Sequence, residues 1–97
     1  MENIIDIINE TWENRSLLST KESQKAILES IELLDKGKIR VAEPHGDEWK
    51  VNEWVKKAVV MYFPISQMET IEVGPFEFHD KIPLKKDYKE QGVRVVP

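Results

Sequence analysis

Apolar side chains first recur at a helical interval. Ile4, Ile5, Ile8 and Trp12 are separated by acids and amides, and that spacing predicts an amphipathic helix over residues 3 to 14. Ile7 widens the apolar face, so the helix should pack on more than one neighbour. Ser19-Thr-Lys-Glu22 then has the Ser-x-x-Glu form of a capping box. In such a box the hydroxyl takes an orphan backbone N–H and the carboxylate reaches back to the cap. A second helix is expected from Thr20 to Lys36. Its stripe is Ile27, Ile31 and Leu34 with Leu28 beside it, and Gly37 is its left-handed stop. So few residues join the two helices that they should be antiparallel neighbours.

The period then changes to two. Ile39 and Val41 alternate with Arg40 and Ala42, and Trp49 and Val51 alternate with Glu48 and Lys50, on either side of the turn cluster Pro44-His-Gly-Asp47. This predicts a hairpin of Lys38–Glu43 with Glu48–Val51 that must lie on the helices to be stable. Asn52 is a suitable N-cap for a third helix, with Glu53 in its first turn. Trp54, Val55, Ala58, Val59 and Tyr62 form its apolar stripe, helped by Met61 and Phe63. Lys56 and Lys57 fall on the other side, and Pro64 should close the helix near Phe63. Further on, Gly74-Pro75 is a turn and Phe76-Glu-Phe-His79 alternates like a strand. Pro83 excludes a central strand, and residues 85 to 91 have room for one helical turn before Gly92. Val93, Val95 and Val96 then favour a strand with Arg94 on its opposite face. That strand either folds back or leads onward. The fold class is mainly α, three amphipathic helices with a small β-hairpin and an extended C-terminal segment.

Composition narrows the function. Ninety-seven residues make one domain with one modest core. A net charge of −4 argues against a nucleic-acid partner, which calls for clustered Lys and Arg. No apolar run approaches the length of a membrane span, and Met1-Glu-Asn-Ile lacks the basic start of a signal peptide. With no Cys there is neither a disulfide framework nor thiolate chemistry. The expected location is the cytoplasm.

Catalytic chemistry is sparse. His45 and His79 stand apart, and His45 with Asp47 and Glu48 reads as a solvated turn before it reads as a metal corner, so no metal site is assigned. Ser16, Ser19, Ser23, Ser30 and Ser66 lack a nucleophile motif. Adjacent helical Lys56 and Lys57 point about 100° apart. They form a solvated face or, alternatively, attract an anion or a subunit. Arg94 is distinctive, because a guanidinium fork grips carboxylates bidentately. A surface salt bridge or a solvated edge position is its plainer reading. No catalytic residue is assigned.

Several of these segments carry a resemblance. Arg40-Val-Ala-Glu43, Trp49, Trp54-Val-Lys-Lys-Ala-Val59 and Phe63, after Leu33-Leu-Asp-Lys-Gly37, resemble the N-terminal domain of tetrahydrodipicolinate N-succinyltransferase. Phe78-His-Asp-Lys-Ile-Pro-Leu-Lys85 is similar to that family's Tyr-Phe-Asp-Lys-Val-Pro-Met/Leu-Lys, and Gly92-Val-Arg-Val-Val-Pro97 to its Gly-Phe-Arg-Val-Val-Pro. The resemblance spans essentially the whole chain. It departs from the family pattern in a shorter stretch between Lys85 and Gly92 and in His79, where an aromatic is common.

The resemblance implies an acyltransferase of lysine and diaminopimelate synthesis. The complete enzyme would be a homotrimer moving a succinyl group from succinyl-CoA to the amino group of a dicarboxylate. It implies that residues 1–91 are a helical domain and that 92–97 lead into a left-handed β-helix of hexapeptide repeats. None of those repeats is present, so the 97-residue chain should be inactive alone and bind no cofactor of its own. It maps the family's substrate-binding Arg onto Arg94. Neither nucleic acid nor membrane is an expected partner. The rival reading is a free-standing helical module whose apolar faces and Lys56-Lys57 bind another protein.

Overall fold

The computed structural model describes residues 2–97. The chain forms two compact units that meet in sequence between Gln67 and Met68. In the first, α1 (Glu2–Glu13) is followed by a short 3-10 helix (Arg15–Ser19) and α2 (Lys21–Asp35). A hairpin of β1 (Ala42–His45) and β2 (Glu48–Val51) then leads into α3 (Glu53–Ile65). The second unit holds a hairpin of β3 (Glu69–Val73) and β4 (Phe76–Asp80), then an irregular segment to Pro97. The architecture is mainly α, as the hydrophobic period predicts, with two small hairpins where one was expected. Among the described residues no helix is long and apolar enough to cross a membrane.

The three helices of the first unit all touch one another. Ile8 of α1, Ile27 of α2, and Ala58 and Met61 of α3 have no exposed surface, and Ala26 has almost none. Ile4, Ile7, Trp12, Trp54, Tyr62 and Ile65 pack around them. Thr11 meets Ser23, while Asn3 and Ile4 share a cleft with Ala26 and Glu29. The later residues of α1 thus face the earlier residues of α2, the expected antiparallel arrangement. The seam between them is not the predicted aliphatic stripe. Ser23, Ala26, Ile27 and Ser30 are the buried positions of α2, Ile31 and Leu34 are half-buried, and Leu28 is exposed. Small side chains occupy the centre because they let helix backbones approach, and the longer aliphatics close the flanks.

Local signals held in kind and shifted in place. The 3-10 helix runs through Ser19, so Ser19 cannot take the extended backbone of an N-cap. Thr20 takes it (φ −83°, ψ 147°), and its hydroxyl accepts from the Ser23 N–H. The capping box on Ser19 and Glu22 therefore does not form. Gly37 does end α2 as predicted: at φ 74° it donates to the Leu34 carbonyl while Lys38 donates to Leu33, a Schellman closure.

In the first hairpin β1 lies later than the predicted Lys38–Glu43. Gly46 takes φ 64° as the first residue of a two-residue turn, which makes His45 and Glu48 the flanking pair. The bonded pairs alternate from there. Asn52 N–H still donates to the Val41 carbonyl, so Pro44 falls on a non-bonded position where its missing N–H costs nothing. Asn52 precedes α3 as expected but makes no side-chain cap. Its amide nitrogen donates to the Arg40 carbonyl (2.7 Å) and to Glu43 Oε1 (3.3 Å), fastening hairpin to helix. α3 continues through Pro64 to Ile65 instead of closing at Phe63. The carbonyl that Pro64 leaves without a helical donor belongs to the exposed residue Val60.

Candidate functional site

Arg94, the residue that the sequence offers for carboxylate binding, stands at the end of a small built turn. Gln91 N–H donates to the Asp87 carbonyl (3.1 Å), Gly92 N–H to Lys89 (3.2 Å) and Val93 N–H to Tyr88 (2.8 Å). The last two bonds repeat the closure seen at Gly37, with Gly92 again at positive φ (73°). The Gln91 side chain adds a 2.6 Å bond to the Lys86 carbonyl. Residues 86 to 93 are thereby tied together, and the single helical turn expected here is present. Arg94 follows directly.

Val93–Pro97 has no strand partner among the described residues, and every residue of it is exposed. Arg94 forms no hydrogen bond or ion pair with any described residue, so its planar array of donors is uncommitted. Such a group can take both oxygens of a carboxylate at once. The salt-bridge reading of Arg94 has no counterpart among the described residues, and its exposure fits the solvated edge position.

Other candidates resolve differently. Lys57 bonds Asn9 Oδ1 (3.1 Å) and lies 6.0 Å from the Trp12 ring, so it joins α3 to α1. Lys56 is exposed. Trp12 is also covered by the Arg15 guanidinium at 4.1 Å, whose Nε donates to the Trp12 carbonyl. This cation–aromatic stack was absent from the sequence reading; the Trp12–Arg15 spacing of three was its only local trace.

The serines serve the fold: Ser16 donates to Asn14, Ser19 to the Ser16 carbonyl, and Ser30 to the Ala26 carbonyl. Ser23 is held against Thr11 at 2.7 Å. His79 Nδ1 pairs with Thr70 Oγ1 at 2.7 Å across the second hairpin, and His45 sits opposite Glu48 in the first. Among the described residues no three His, Cys, Asp or Glu side chains gather as a metal site. A broad hollow lies along one face of α2, lined by Lys21, Gln24, Lys25, Leu28, Glu29 and Glu32, remote in sequence from Arg94 and without a catalytic set.

The family model described as tetrahydrodipicolinate N-succinyltransferase N-terminal matches residues 3–65, from α1 to the end of α3. Curated relatives extend the likeness. The chain is 39% identical over 105 positions to the 2,3,4,5-tetrahydropyridine-2,6-dicarboxylate N-succinyltransferase of Coxiella burnetii (strain Dugway 5J108-111), covering all of this chain and 39% of that protein. The protein of the same name from Pseudoalteromonas translucida (strain TAC 125) is 37% identical over 107 positions, with the same coverage. That of Aeromonas salmonicida (strain A449) is 47% identical over 81, covering 77% of this chain and 30% of the relative. The chain therefore spans about two fifths of the length of the relatives that match it throughout. The first two alignments are longer than the chain, so those relatives carry residues at positions where it has none.

Proposed function

Because the chain belongs to the tetrahydrodipicolinate N-succinyltransferase family, as its N-terminal domain, we propose that it serves an acyl transfer completed elsewhere in the enzyme. In this reading the full protein moves a succinyl group from succinyl-CoA to the amino group of a dicarboxylate in lysine and diaminopimelate synthesis. The amine attacks the thioester carbonyl, a C–N bond forms, the C–S bond breaks, the amine loses a proton and CoA leaves as its thiol. The described residues offer no acid–base or nucleophilic set for those steps, and their part is binding. Residues 92–97 lead from the helical domain into the catalytic part, and the complete enzyme works as a homotrimer in the cytoplasm.

The observation that carries this reading is the uncommitted guanidinium of Arg94 within Gly92-Val-Arg-Val-Val-Pro97. A positive, planar, multidentate group can both hold and orient a dicarboxylate, and Arg94 is such a group with no partner among the described residues. The match over α1 to α3 favours an enzyme's domain over a free-standing interaction module.

The test is Arg94→Ala in the full-length enzyme. Loss of a charge-assisted contact of about 1.5–3 kcal/mol should lower kcat/KM for the dicarboxylate by roughly 10- to 100-fold. KM for succinyl-CoA should stay unchanged. Arg94→Lys should recover only part of the loss, because an ammonium cannot bind bidentately. Unaltered kinetics in Arg94→Ala would remove Arg94 from the site.

A further inference from the structure

The second hairpin has a built-in polarity that the chain leaves unused. Ile71 lies opposite Phe78 and Val73 opposite Phe76, while Glu69 and Asp80 pair at the open end. Residues paired across an antiparallel ladder share a face. One face of β3–β4 therefore carries Ile71, Val73, Phe76 and Phe78, with Glu69 and Asp80 on the same face at its open end. The other carries Thr70 bonded to His79, and Glu72 opposite Glu77. The apolar face is the wet one: Phe76 is 65% exposed, Val73 53% and Phe78 45%. Scattered exposed apolar residues need no explanation, but three on one ladder face, beside half-buried Ile71, make a contiguous patch. A two-stranded hairpin is marginal in water unless such a face is covered.

We propose that the Ile71/Val73/Phe76/Phe78 face is the docking surface for the part of the enzyme that lies beyond this domain, with the Glu72–Glu77 face turned to solvent. Two observations select that occupant. The full-length relatives carry about three fifths of their chain outside the matched region, which provides the covering surface. A second copy of the hairpin is disfavoured by charge. Between Glu69 and Asp80 there are four acids and no Lys or Arg, so face-to-face pairing would bring two like-charged elements together. The covering surface should be apolar with neutral or basic margins. This inference rests on family membership and is independent of the role given to Arg94.

Carbene footprinting and amide exchange on two proteins test it: the 97-residue chain and the full-length Coxiella burnetii relative, whose alignment includes the whole hairpin. In the short chain the β3–β4 amides should exchange within about tenfold of unstructured rates. In the full-length protein the aligned segment should be slowed by at least about 100-fold. Footprinting should fall at the positions aligned with Val73 and Phe76 and persist at those aligned with Glu72 and Glu77. Equal exchange in both proteins, or equal labelling of both faces in the full-length one, overturns the proposal. So does a short chain that sediments as a dimer with its hairpin already protected, which would make the occupant a second copy. Loss of activity in Arg94→Ala has no bearing on either readout.

Discussion

Thr11 is fully buried in α1, yet it is a polar residue on a face read as apolar. Its hydroxyl donates to the Ile7 carbonyl at 2.7 Å, which commits its proton, so the proton in the 2.7 Å contact with Ser23 comes from Ser23. Thr11→Val should leave the Ser23 hydroxyl buried without an acceptor and cost about 1–3 kcal/mol in urea unfolding. The double change Thr11→Val with Ser23→Ala should cost less than the sum of the two single changes, because the orphaned donor is gone. Strict additivity would mean that the pair is not coupled. A pattern that scores apolar side chains overlooks both residues, since their polarity is cancelled only by each other and by the helix backbone. Arg94 is the opposite case. Its chemistry was plain from residue type and alternation, and the missing knowledge was whether an acid inside the chain had already claimed it.

Among elements, the start of α2 separates a correct signal from its position. Ser19 and Thr20 are chemically similar caps, and only Thr20 has the extended backbone that a cap needs. Thr20→Ala should destabilise the chain by about 0.5–2 kcal/mol, and Ser19→Ala should change it by no more than about 0.5 kcal/mol. The comparison is of midpoints in chemical denaturation, and equal losses would restore Ser19 as the cap. The hairpins teach a related lesson. Both turn on two residues beginning with a Gly at positive φ, Gly46 and Gly74, and the residues flanking that pair set the whole register. Alternation before Gly74 was visible in Thr70, Ile71, Glu72 and Val73, so β3 was legible as the partner of the recognised Phe76–His79 strand. Pro44, expected in the turn cluster, lies instead inside β1, because the ladder has positions that require no donor.

At the scale of the molecule, the first unit contains the whole sealed core, and the second contains a hairpin and a turn. A chain cut after Gln67 should keep the cooperative helical unfolding transition, with a midpoint close to that of the full 97 residues. Loss of cooperativity by circular dichroism would show that the second unit supports the core. The 97-residue chain, given succinyl-CoA and the dicarboxylate, should release no CoA above background in a thiol assay, because its described residues hold no acid–base or nucleophilic set; measurable turnover would defeat the division of labour proposed here.

The sequence by itself determined the three helices, the Gly37 stop, the turn before Arg94 and the chemistry Arg94 can offer. These follow from periodicity, backbone freedom and functional-group type, all of which act within a few residues. Only the tertiary structure decided that small residues line the α1–α2 seam, that Lys57 is spent on Asn9 and Trp12, that Thr20 displaces Ser19, and that Arg94 remains unclaimed. Each of those outcomes depends on which groups arrive from elsewhere in the chain, and a short-range pattern carries no information about that.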